Sequence, residues 1–382
     1  MFLQLLLTTQ KNYLRKIYKK KSCYCGNFIF LHIKFLFYIY FSMKKVWTIV
    51  FLIFGTIVGS GFSSGKEIFV FFSRFGNLSY LYIFIACVLF FFLFYLFLSK
   101  GSKVTEKFEN LKIINIIMIF ISIVFTASMF AGLKSLFSFS GSFIYILLCA
   151  GLLLLTLYIT LKGMKMLEKF TAFIMPVCAF IFLGVLVFLC FQKSTYIMET
   201  ESHFGFLYSP LYVALNFSTS TFIVAKAGNE LTKKQTFFIS LFSSLLLFAF
   251  LTFGNVVLRT HPESFYADMP FLYLCQGNKF FFTLSYIVIF IGCLTTLLSL
   301  CLTLKESLSN FFKSEVLLLS LSIFLPFLIS ECGFSYIVSY LYPVSSVMAI
   351  FLLLFFISSF QKTNKKIHQE GKYAKDKGGG HN

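Results

Sequence analysis

Charge is scarce in this chain. Only 12% of its 382 residues are Asp, Glu, Lys or Arg, and 14 acidic residues stand against 33 basic ones. Soluble domains carry about 25% charged residues, so a freely solvated globular surface is excluded. Paired redox or metal cysteines are missing too. Ten cysteines occur, but apart from Cys23 and Cys25 they stand singly along apolar runs, with no CxxC and no Cys/His ligand spacing. They read as buried small hydrophobes. The five histidines (His32, His203, His261, His368 and His381) are dispersed and form no zincin motif. No P-loop, nucleophile elbow or kinase signature is present. An ATP-driven pump would need a soluble nucleotide domain, for which the chain has no room. With no catalytic constellation, the chain does not read as an enzyme.

Apolar residues are abundant: 58% of the chain is hydrophobic, including 57 phenylalanines. Runs long enough to cross about 30 Å of hydrocarbon recur from end to end. The expected fold class is therefore an all-α integral membrane protein, with the lipid bilayer as its surroundings. The formal charge of +19 does not point to nucleic acid, because the basic residues sit in short loops and tails, where they set topology. Three regions are expected: a basic extension 1–42, a membrane domain 43–360 and a basic tail 361–382. The extension has no acidic residue, and it competes as an upstream mis-called start, a targeting segment or an interfacial anchor. The first is favoured, since Met43 opens "MKKVWTIVFLIFG".

About ten spans follow Met43, near 46–72, 79–99, 113–134, 142–161, 168–191, 206–226, 235–258, 280–304, 315–330 and 335–360. Lysines crowd into alternate gaps, around 100–112, 162–169, 233–234 and 362–377. The other gaps hold only Arg74, Lys134, Lys193, Arg259 and Lys279. That asymmetry, with an even number of spans, predicts a multi-pass protein with both termini in the cytoplasm. Ten spans divide into halves 46–191 and 206–360, which enter the membrane from opposite sides. This is the arithmetic of a five-plus-five inverted repeat.

The first span of each half is interrupted. One carries "GTIVGSGFSSGKE" (Gly55–Glu67), the other "LNFSTSTFIVAKAGNE" (Leu215–Glu230). Glycine lets a helix unwind, and unpaired backbone at membrane depth is tolerated only beside a cavity or polar partners. Paired interrupted spans mark a midplane binding site in secondary transporters, so breaks are expected near 59–61 and 216–221. The competing reading of Gly-x-Gly is close helix packing. For the hydroxyls it is bonding back to their own helix.

"GTIVGSGFSSGKEIFVFF" resembles the first-span signature of the YkvI-type bacterial membrane proteins. These belong to the amino acid–polyamine–organocation superfamily, which shares the LeuT-like fold. "MFAG" (Met129–Gly132), "AGNELTKKQ" after the sixth span and "CLTTLLS" (Cys293–Ser299) are similar too. Lys66 departs from the family pattern, which carries glutamine there. The resemblance implies a fold with broken first and sixth helices, and a transporter-like mechanism. It places a substrate at Gly59, Ser60 and Gly61, with Asn216, Phe217, Ser218, Thr219 and Ser220 from the sixth span. It also implies that a sodium ion could be held by the carbonyls of Gly55 and Val58 with Thr295 and Thr296. No cofactor beyond such an ion is expected. Lys66 and Glu67 read as an outer gate with Glu331 as partner, or Glu67 as a proton-coupling carboxylate, or as side chains snorkelling to the interface. Lys226 is expected to snorkel as well.

The expected function is secondary transport, as a symporter of a small organic solute such as an amino acid or amine. The cycle would be alternating access driven by sodium or protons, with spans 1, 2, 6 and 7 moving against 3, 4, 8 and 9. The alternative is a solute-sensing receptor on a transporter fold, of the germinant-receptor kind, without net transport.

Overall fold

The computed structural model describes residues 43–108, 111–137, 158, 162–192, 203–309, 311 and 313–358. The extension 1–42, the tail 361–382 and all of the fourth span 142–161 but residue 158 lie outside the described residues. Contacts divide the chain into a unit Met1–Lys45 and a unit Val46–Asn382. Everything below concerns the second.

Every regular element among the described residues is helical. The first span is in pieces: α1 reaches residue 57, α2 is Ser60–Ser64 and α3 is Lys66–Phe71. The later spans follow as α4 (Ser79–Phe108), α5 (Lys112–Phe137), α6 (Met164–Cys190), α7 (Tyr208–Ala227) and α8 (Lys233–Thr260). A short α9 (Pro270–Leu274) lies in the next connection. Then come α10 (Lys279–Ser309), α11 (Glu315–Ser330) and α12, Phe334–Ser358 with a π turn at Ile337–Leu341. Six helices among the described residues are long and apolar enough to cross a membrane. The chain is thus an α-helical, multi-pass membrane protein. α7 is not among the six because its middle carries Asn216 and four hydroxyls. Large apolar side chains such as Phe173, Phe180 and Phe351 point outward, 80%, 81% and 66% exposed. A water-facing surface would not tolerate so many, whereas hydrocarbon favours them.

Packing sorts the helices into two sets. α4 lies against α7 and α8, while α5 lies against α10 and α11. The fragments of the first span reach both, α2 touching α5 and α10, and α3 touching α7 and α8. Phenylalanine supplies much of the contact. Phe217 sits between Phe94 and Phe97 at centroid distances of 5.8 and 4.8 Å, and Tyr212 meets Phe72 edge-on at 4.8 Å. Such pairs add about 0.5–1.5 kcal/mol each beyond the area they bury. The chain enters α8 through a capping box, in which Thr232 and Gln235 satisfy each other's backbone donors.

One expectation about the fold is corrected. The sixth span is not broken near 216–221, because α7 runs unbroken through it. The segment contains no glycine, so nothing lowers the cost of unwinding. Its hydroxyls instead bond back to carbonyls one turn earlier. Ser218 donates to Leu215 O (2.8 Å), Thr219 to Asn216 O (2.8 Å) and Thr221 to Phe217 O (2.7 Å). These are the helix-satisfying bonds that compete with a ligand role.

Candidate functional site

The first span departs from helix twice, at Val58–Gly59 and at Gly65. At the first place the Gly59 N–H bonds to Ile57 O (2.9 Å) in place of Gly55 O. The Ser60 N–H faces the Met129 sulfur at 3.5 Å, and the Ser60 hydroxyl reaches Ser128 O at 3.3 Å. Ser63 steadies the turn by donating through its hydroxyl to Gly59 O (2.7 Å). Glycine lets the first span lie close to its neighbours here: a Cβ on Gly59 would stand 2.8 Å from the Met129 methyl, displacing it, and 3.2 Å from the Thr296 hydroxyl. At the second place Gly65 has φ +89°, a left-handed conformation that L side chains disfavour.

These breaks bring together part of the implied ion set. Thr296 donates to Gly55 O at 3.2 Å, across from the eighth span. Gly292 lies so near the first break that a Cβ on it would be 2.9 Å from Val58 O. Gly55 and Thr296 therefore meet directly, while Val58 O lies beside Gly292, one turn before Thr296 on α10. Thr295 is not part of it, since its hydroxyl turns back to Ile291 O (3.0 Å) and Gly292 O (3.2 Å).

The second cluster centres on Glu67. Its carboxylate, only 2% exposed, accepts a hydrogen bond from Asn216 Nδ2 at 2.7 Å. Its other oxygen lies 2.7 Å from where a Cβ on Gly61 would be. Gly61, Glu67 and Asn216 are thus brought together, although the two spans are far apart in sequence. Tyr212, one turn before Asn216 on α7, packs against Phe71 and Phe72 of the first span, and Tyr342 of α12 is stacked on Phe125. Tyr212 Oη and Asn216 Oδ1 are fully buried without a hydrogen-bond partner, while the hydroxyls of Tyr342 and Ser128 face each other. Buried polar atoms without partners are rare in folded proteins, and Asn216, the residue that holds Glu67, carries one of them. Phe217 is not placed with them, being held between phenylalanines of α4.

The expected gate partners are corrected. Lys66 pairs with neither Glu67 nor Glu331. Its ammonium donates to Phe265 O (2.9 Å) and Ala267 O (3.1 Å), tying the connection between α8 and α10 to the first span. Lys66 and Glu67 point in different directions because consecutive residues of the helix Lys66–Phe71 are turned by about 100°. Glu331 instead forms an ion pair with Lys134. Lys226 pairs with Glu306 at 2.9 Å and lies over the Phe222 ring, which replaces simple snorkelling. The Lys134–Glu331 pair, with Asp268 and Phe334, lines an open cavity of about 450 Å³. Asp268 there accepts hydrogen bonds from Ser135 and Ser335.

Sequence reasoning missed Ser128, Tyr212, Tyr342 and Asp268. Tyr212 carried a signal, standing one turn before Asn216 on the same helix face. Tyr342 lies in "SYLYPVSS", a polar interruption of the last span that matched nothing in the first half.

No family model matches the chain. Two proteins of Bacillus subtilis (strain 168) are similar to it. The uncharacterized membrane protein YkvI is 22% identical over 324 residues, covering 79% of this chain and 92% of that protein. The uncharacterized protein YyaD is 23% identical over 324 residues, covering 79% and 93%. The similarity matches the YkvI-type resemblance of the first-span motif.

Proposed function

We propose that the chain is a secondary transporter that moves a small organic solute by alternating access, with the solute held between the broken first span and α7. One observation carries this reading. The first span parts at two places, and its outer part faces Tyr212 and Asn216, each fully buried with a polar atom that has no partner. Helix breaks at membrane depth are tolerated where they line a cavity, and unpaired buried groups call for something that binds them.

Two further observations support it. The packing of α4 with α7 and α8, and of α5 with α10 and α11, is compatible with one set moving against the other, although α7 also touches α5 and α10. The contact of Thr296 with Gly55 O, with Val58 O beside Gly292 on the same helix, is where sodium could couple its gradient to the cycle. A sodium ion there would supply positive charge that ties the first span to α10. Its release would free that tie.

Uptake into proteoliposomes tests the proposal, with a panel of labelled amino acids and amines and with sodium present or absent. Saturable accumulation above protein-free liposomes is expected. Saturable binding with no flux of any panel member would favour a sensing receptor instead.

A further inference from the structure

Arg74 stands apart from the transport site, on the connection Ser73–Leu78 between α3 and α4. Its guanidinium lies over two adjoining rings, 4.6 Å from the centroid of Tyr208 and 4.9 Å from that of Phe75. Tyr208 opens α7, so this contact joins the end of the first span to the start of α7. Arg74 Nε is buried without a partner, and the other two nitrogens reach the surface with no hydrogen bond or carboxylate among the described residues. The acidic residue nearest in sequence, Glu67, is buried against Asn216. Arg259 of α8 adds a second positive charge to the connection, donating to Asn77 and lying over Tyr80. The surface beside Arg74 is apolar. Gly205 is seated so closely that a Cβ on it would stand 2.3 Å from the Tyr82 ring and 2.7 Å from the Phe75 ring. Its neighbours Phe204 and Phe206 are 77% and 55% exposed. The connection lies where the chain leaves one span and enters the next, so this surface is at the edge of the hydrocarbon.

A guanidinium without a carboxylate, at the edge of an exposed apolar face, suits an anion that carries hydrocarbon. Arginine offers planar donors that hold a phosphate by two bonds at once, while its face stacks on rings. Basic residues at a membrane surface draw anionic lipid headgroups. We propose that Arg74, Phe204 and Phe206 form a site for an anionic phospholipid. The phosphate takes the guanidinium edge, and an acyl chain lies along the two phenylalanines. The bound lipid braces the end of the first span against α7. The site does not depend on which solute the chain carries, or on whether it carries one.

The purified full chain in a neutral detergent tests this, with phosphatidylglycerol as the probe. Phosphatidylcholine, inorganic phosphate and glycerol phosphate serve as comparisons. Native mass spectrometry counts the lipid retained, and thermal unfolding reads the bracing. One phosphatidylglycerol should be retained in preference to phosphatidylcholine and should raise the unfolding temperature. Arg74→Gln should weaken retention about tenfold, the loss expected for charge-assisted hydrogen bonds. Arg74→Lys should restore only part of it, because lysine lacks the planar fork. Lys279→Gln makes the same change of charge at an exposed position and should leave retention unchanged. Equal loss in Arg74→Gln and Lys279→Gln would show general attraction to a basic chain and overturn the site. Should Arg74→Gln fail to fold, Phe204→Ala combined with Phe206→Ala changes only exposed side chains. That variant should weaken lipid retention several-fold, and unchanged retention counts against the proposal. Inorganic phosphate or glycerol phosphate that raises the unfolding temperature as much as phosphatidylglycerol would assign the site to a free anion and overturn the lipid assignment.

Discussion

Asn216 donates its amide to Glu67 across 2.7 Å, and this bond joins the two spans that the sequence marks as interrupted. Both side chains are buried, so losing the donor leaves a buried carboxyl group unsatisfied. Asn216→Leu should destabilise the protein by about 1–3 kcal/mol. Glu67→Leu combined with Asn216→Leu should cost less than the two changes added together, because the pair acts as a unit. Thermal unfolding in detergent of the two single variants and the double variant measures this, and strict additivity would contradict the pairing.

Lys66 fastens the connection between α8 and α10 to the first span through two carbonyls. Lys66→Met keeps the stem but removes the donors. Hydrogen exchange at residues 262–269 should then quicken, with exchange in the middle of α10 unaffected. Unchanged exchange in that connection would show that it is held by other contacts, such as Phe69 stacked on Phe265 at 4.1 Å.

Much of this arrangement could be read from the sequence, for reasons visible in particular residues. The break at Val58–Gly59 is legible because glycines cluster there, whereas the second break, at Gly65 with its φ of +89°, lies beyond the expected 59–61. Thr296 was found because an implied ion set named it beside Gly55. The sixth span misled, since serine and threonine look alike in sequence whether they face a ligand or their own helix. Only the observed bonds to Leu215, Asn216 and Phe217 decide it. The partners of Lys66 are backbone carbonyls on a distant connection, and no side-chain pattern encodes them. Tyr342 comes near Glu67 only through the packing of the last span, which periodicity does not specify.

The two eighth-span threonines should separate. Thr296 meets Gly55 O while Thr295 bonds within its own helix. If sodium couples at this place, Thr296→Val should remove the sodium dependence of uptake. Thr295→Val should leave it within about twofold, since its hydroxyl satisfies only local carbonyls. Equal loss in both variants, read from uptake against sodium concentration, would contradict the assignment.

Gly65→Ala tests the second break. A residue with a Cβ at φ +89° costs about 1–2 kcal/mol, and the new atom would stand 3.0 Å from the Phe271 ring. A lowered unfolding temperature is expected, partly restored by Phe271→Leu. A neutral Gly65→Ala would mean that the turn relaxes into continuous helix.

The central claim is that the space between the broken first span and α7 opens to each side of the membrane in turn. Cysteine placed at Ser128, in a variant with the native cysteines replaced, measures this in oriented vesicles. A membrane-impermeant thiol reagent is added from one side or the other. The account predicts labelling from both sides, slowed in each case by a transported solute. Labelling from one side only, whatever the solute, would contradict it.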